Sequence, residues 1–124
     1  MSTRGQVCVK DKYGGDIYLY SHSDSYRLPG EVQKALAYRK QWDNGEYLAR
    51  MIFEVMLERA SEKEYGFGIG NREHGDIDIL VIVDCEQEIV IMKKGPFKVE
   101  ASFGEFIKAS ITDTIRFTGS PPPV

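Results

Sequence analysis

The chain has 124 residues, 42% of them apolar and 28% charged, with a net charge of −3. That is enough for one domain with one core. It lacks the basic balance of a duplex nucleic-acid binder, and no apolar run is long enough for a membrane span.

The elements follow in chain order. Gln6 to Lys10 alternates Val7, Cys8 and Val9 with polar neighbours and reads as a strand. Asp11 to Asp16 is a turn in which Gly14 and Gly15 supply positive φ, and Ile17 to Ser21 is its partner strand. His22 to Arg27 is a polar loop. Pro29 suits the first turn of a helix expected over Gly30 to Gln41, with Val32, Ala35 and Leu36 on its apolar face. Trp42 to Gly45 breaks that helix. A second follows over about Glu46 to Arg59, where Tyr47, Leu48, Met51, Ile52, Val55 and Met56 recur every three or four residues.

Next comes a glycine stretch, Tyr65 to Asp78, in which Gly66, Gly68 and Gly70 alternate with Phe67 and Ile69. A bare strand face permits close approach of another backbone, an aromatic ring or a ligand. The spacing is neither a P-loop, which needs Lys-Ser/Thr after its second glycine, nor a dinucleotide fingerprint, which needs a following helix. Ile77 to Val83 reads as a central strand buried on both faces. Asp84 to Glu88 is a turn, Ile89 to Met92 the partner strand, and Phe97, Val99 and Ala101 a short extended segment. Ser102 with Glu105 forms a capping-box pattern for a short helix to about Asp113. Thr112 to Phe117 reads as strand or tail.

This order predicts an α+β domain over residues 1–118: a mainly antiparallel sheet of five to six strands, a helical pair on one face and a short C-terminal helix. Residues 119–124 form a flexible Pro-rich tail. Cys8 and Cys85 stand alone in strand-like runs and read as small buried hydrophobes. The opening residues Met1 to Gly5 lack the apolar region of a signal peptide, so a cytoplasmic location is expected.

Two kinds of chemistry suggest themselves. His22 lies near Asp24 and His74 near Asp76, a set suited to a small hydrolase or a metal site. It matches no established metal motif, and the two-histidine phosphodiesterase pattern fails because aspartate stands where a hydroxyl residue is needed. Hydrogen-bonded loop orientation is the default explanation of both pairs. The basic residues carry more. Arg50, in an otherwise apolar helix stretch, is expected to be partly buried and to want an anionic partner, a ligand phosphate or an Asp or Glu. Arginines with Trp42, Phe67 and the tyrosines suit a nucleotide pocket: flat rings for a base, guanidinium groups for phosphate. They suit a protein interface almost as well.

Three stretches together carry a resemblance: Tyr13-Gly14-Gly15-Asp16-Ile17-Tyr18-Leu19-Tyr20-Ser21-His22-Ser23-Asp24; Gln41-Trp42-Asp43-Asn44-Gly45-Glu46-Tyr47-Leu48-Ala49-Arg50; and Gly66 to Gly70 with His74-Gly75-Asp76-Ile77. Over residues 6–92 the chain resembles small proteins of phages, prophages and archaea, and through size and layout it is similar to the phage Thoeris anti-defence proteins of the signal-sponge type. The resemblance implies a non-enzymatic protein without cofactor. It would bind a cyclic ADP-ribose isomer, or in some members a cyclic trinucleotide, in pockets between protomers of a dimer or hexamer. It also implies a ligand set of Arg27, Arg50, Phe67, Lys108, Thr114 and Arg116. Lys108 departs from the expected arginine, which weakens bidentate phosphate recognition there. No duplex nucleic acid or membrane partner is expected.

Overall fold

The computed structural model describes residues 3–58 and 66–109. Six strands form one sheet: β1 (Gly5–Lys10), β2 (Asp16–Ser21), β3 (Phe67–Gly70), β4 (Ile79–Asp84), β5 (Ile89–Lys94) and β6 (Phe97–Ser102), in spatial order β3-β2-β1-β4-β5-β6. Helices α1 (Leu28–Leu36), α2 (Gly45–Glu58) and α3 (Phe103–Lys108) complete the α+β fold. The expected C-terminal strand or tail, the Pro-rich 119–124 segment, Arg59 and Tyr65 lie outside the described residues.

Every neighbouring pair of strands is antiparallel except β1 and β4, which run parallel with Val7 beside Val81 and Val9 beside Val83. Side-chain alternation then sorts the two faces. Val7, Val9, Leu19, Val81, Val83, Val90 and Met92 point to the helical layer and join Leu28, Val32, Leu36, Leu48, Ile52 and Met56 in the main core. Cys8, Leu80 and Ile82 point the other way and form a second, smaller cluster with Tyr18, Ile77 and Ile91 packed on it. β1 and β4 are therefore buried on both faces, which is why their sequences read as nearly unbroken apolar runs.

α1 stops at Leu36, short of the expected Gln41. Arg39 and Gln41 both take left-handed backbone (φ 57° and 63°), which no helix continues. The Trp42 indole N–H donates to the Leu36 carbonyl at 3.0 Å, satisfying one of the helix's last acceptors. Trp42 also sets its edge against Phe103 at 5.3 Å, tying this break to α3. β4 begins at Ile79 rather than Ile77, because the backbone of Asp78 is occupied with Arg4: its N–H donates to the Arg4 carbonyl at 2.7 Å and its carboxylate accepts from the Arg4 N–H at 3.0 Å. At α3 the capping box is complete, with both Ser102–Glu105 hydrogen bonds at 3.0 Å. The other end of α3 is held by Gln33 of α1, whose amide donates to the Phe106 and Ala109 carbonyls.

The two cysteines are free and buried. Burial pushes the Cys85 thiol up to about 12 and raises that of Cys8. Cys8 also hydrogen-bonds the Tyr18 phenol, whose pKa is likewise pushed up to about 12, chiefly by that bond. Both thiols stay protonated and behave as the small hydrophobes the sequence suggests.

The glycines differ in what they allow. A Cβ on Gly5 would come within 2.6 Å of the Ser25 Cβ and 2.8 Å of the Leu28 Cδ1, so this strand start can meet α1 only without a side chain. At Gly68 and Gly70 a Cβ would meet nothing within 4 Å. We expect Gly5→Ala to lower stability by about 1–3 kcal/mol through overpacking, and Gly68→Ala to leave it unchanged or slightly raised. Chemical denaturation of the two variants checks this; equal losses would contradict it.

Candidate functional site

Strand β3 organises both candidate surfaces. It pairs with β2 in the register Tyr18–Gly70, Leu19–Ile69, Tyr20–Gly68 and Ser21–Phe67. Alternation sends Phe67 and Ile69 to the helical side, while Gly68 and Gly70 leave the opposite side bare beside Tyr20 and Tyr18.

On the helical side a groove of about 370 Å³ opens between α2 and the β2–β3 edge. Its floor and walls are Ile17, Leu19, Ala49, Phe53 and Ile69, with Glu46 and Arg50 at the rim. Ile69 is 67% exposed, an unusual degree for a strand residue of this size. Phe53 meets the Phe67 ring edge-on at 6.4 Å, so Phe67 supports the groove from behind. The helical spacing of Glu46, Ala49, Arg50 and Phe53 puts these side chains on one face of α2.

Arg50 is not buried, contrary to the expectation from its apolar neighbours. Its side chain is 59% exposed and pairs with Glu54, one helical turn on, at 2.5 Å. An exposed pair of this kind is worth about 0.3–0.5 kcal/mol, so the guanidinium exchanges Glu54 for another anion at little cost. Of the rest of the expected ligand set, Phe67 backs this groove, while Arg27 and Lys108 lie elsewhere. Arg27 ends a 3-10 turn ahead of α1 and is bonded to Tyr26, which raises its pKa further. Lys108 is the last residue of α3, on the far side of α1 from α2. Thr114 and Arg116 lie outside the described residues.

On the opposite side both histidines contact Tyr20. The Tyr20 hydroxyl lies 3.3 Å from His22 Nδ1, and the His74 ring stacks on Tyr20 with centroids 4.6 Å apart and planes 22° from parallel. Of the expected carboxylates, Asp76 is engaged by Arg4 in an ion pair. Asp78 accepts from the Arg4 backbone. Among the described residues no group of three or more His, Cys, Asp or Glu is placed to hold a metal ion. No helix of the described residues is long and apolar enough to cross a membrane.

His74 is positioned by a residue that sequence reasoning missed. Gln6, only 1% exposed, accepts from the His74 N–H at 2.8 Å and donates to the Arg72 carbonyl at 3.1 Å. Its amide thus substitutes for a neighbouring strand and holds the 71–78 segment across the sheet. The available signal was a polar amide heading the apolar run Val7-Cys8-Val9. Tyr20 stood out only as one of several tyrosines, and the wall residues Ile17, Phe53 and Ile69 carried no functional signal of their own.

Comparison of the chain with models of known protein families, with curated proteins and with solved structures found no match.

Replacing Gln6 by Leu leaves two backbone groups of the 71–78 segment without partners, at about 1–3 kcal/mol each if they stay buried. We expect the His74 amide to exchange with solvent at least tenfold faster in Gln6→Leu, while amides of β4 and β5 keep their relative order of protection. Unchanged exchange at His74 would show that Gln6 does not hold the segment.

Proposed function

We propose that this protein is a non-enzymatic binder that sequesters a cyclic nucleotide signal, with the groove between α2 and the β2–β3 edge as its contact surface. The supporting observation is the combination found there: an apolar trough bounded by Ile17, Phe53 and Ile69, with a readily exchanged guanidinium, Arg50, at its rim. A base lies against the apolar walls. Arg50 leaves Glu54 for a phosphate, and the Glu46 carboxylate accepts from a ribose hydroxyl or an exocyclic amine. Only the chemistry of binding is required of these residues.

The resemblance to Thoeris anti-defence sponges narrows the ligand to a cyclic ADP-ribose isomer, with a cyclic trinucleotide as the next class, and the setting to the cytoplasm of a phage-infected cell. It also places such pockets between protomers. Arg27 and Lys108 stay in the proposal as contributions from a second protomer; Thr114 and Arg116, outside the described residues, stay as the resemblance implies them.

A catalytic reading has one observation in its favour, the convergence of His22 and His74 on Tyr20. It separates cleanly from sequestration, since a sponge returns its ligand intact. A third reading, in which the same aromatic and arginine residues meet a protein, predicts no nucleotide effect at all.

A thermal-shift screen against cyclic ADP-ribose isomers and cyclic trinucleotides decides among them. A ligand at a hundred times its Kd adds about 2.7 kcal/mol, a rise of several degrees in Tm for a chain of this size. We expect such a shift, recovery of unchanged ligand after heating, and at least a tenfold weaker Kd in Arg50→Ala. Cleaved ligand, with turnover lost in His22→Ala or His74→Ala, would replace this reading with a hydrolase. No shift with any nucleotide would remove it.

A further inference from the structure

Among the described residues β6 is the sheet edge opposite β3, and the two edges differ in kind. β3 has four residues, two of them glycine, whereas β6 has six and none. Residues 97 to 100 of β6 are all exposed, including Phe97 at 68% and Val99 at 43%. An edge of this length with exposed apolar residues is a template for another strand.

The pairing of β6 with β5 sorts its residues. Phe97, Val99 and Ala101 share the face of Val90 and Met92, toward the helical layer, while Lys98 and Glu100 share the other face with Lys93 and Ile91. Lys98 stands directly opposite Lys93, a like-charge pair, and Glu100 stands opposite the apolar Ile91. Neither Lys98 nor Glu100 has an ion-pair partner among the described residues. Each lacks what the other has to offer, yet on one strand they are two residues apart.

We propose that β6 docks against β6 of a second copy of this chain, antiparallel, about a two-fold axis at Val99. The pattern Phe97-Lys98-Val99-Glu100-Ala101 is complementary to itself in that register. Lys98 falls opposite the partner's Glu100, and Glu100 opposite the partner's Lys98. The added carboxylate also offsets the repulsion between Lys93 and Lys98. On the helical side Val99 meets its own copy and Phe97 meets the partner's Ala101, giving a continuous apolar strip. Pro96, with no N–H to donate, ends the ladder just outside it. The interface is isologous and closes, so this contact joins two copies, and a further protomer meets the groove only through a different surface. The two six-stranded sheets become one, with both β3 edges and their grooves outermost. This pairing rests on β6 alone and not on the ligand reading.

Sedimentation velocity over a concentration series, with no ligand present, tests it. The full chain should be a reversible dimer. Lys98→Glu or Glu100→Lys alone puts like charges opposite each other twice and should raise the dimer Kd by roughly tenfold or more. The double exchange Lys98→Glu/Glu100→Lys restores both pairs and should return Kd to within about threefold of the starting value. Tm of each variant's monomer, followed at low concentration, shows that the fold is intact. A monomer at every concentration overturns the proposal, and so does a dimer indifferent to the single changes or one that the double exchange fails to restore. A monomer whose β6 amides are protected from exchange also overturns it, because another part of the chain then covers the edge.

Discussion

The parallel contact of β1 with β4 is the constraint from which the rest of this fold follows. Antiparallel neighbours are joined by a tight turn, but parallel neighbours need a crossover. Here the crossover contains most of the molecule. The chain leaves β1 for β2, passes through α1 and α2 over one face, and returns as β3 beside β2. To reach the far side of β1 it must then cross β2 and β1 on the face the helices leave open. Residues 71–78 make that crossing. Gln6 holds their backbone, His74 stacks on Tyr20, and Ile77 seals Cys8, Leu80 and Ile82. Burial of β1 on both faces and the placing of His74 on Tyr20, beside His22, thus follow from one crossing.

Much of this was legible in the chain. The apolar Val7-Cys8-Val9 and the β-rich Ile17 to Ser21 on either side of Gly14-Gly15 located the first hairpin, the three- and four-residue spacing from Tyr47 to Met56 located α2, and Ser102 with Glu105 located the start of α3. These signals are local, set by side-chain periodicity and capping within a few residues. The parallel β1–β4 register was not legible, because strands with apolar residues on both faces do not record their neighbour's direction. The early end of α1 depends on Trp42 reaching back to Leu36, a tertiary contact. Arg50 was misplaced for a related reason: its neighbours Leu48, Ala49 and Ile52 are buried, but helical rotation turns Arg50 outward beside Glu54.

The sheet's two edges divide its surface chemistry. At β3 the absence of side chains at Gly68 and Gly70, and the exposure of Ile69, leave room for something flat on either side of a thin strand. At β6 a continuous row of side chains with alternating character offers a partner strand a defined register. The edge proposed to admit a small molecule and the edge proposed to meet a second chain are kept apart by four intervening strands. In the proposed account neither event blocks the other, and slow release of a ligand depends on how the groove is closed over rather than on the β6 interface.

The most direct test of the functional claim is to map a ligand's footprint residue by residue. Backbone amide chemical shifts of labelled protein, followed during titration with a cyclic ADP-ribose isomer, report it without disturbing any side chain. The account predicts saturable shifts concentrated at Ile17, Leu19, Glu46, Ala49, Arg50, Phe53 and Ile69. Shifts confined to Tyr20, His22 and His74, or no saturable shift anywhere, would contradict it.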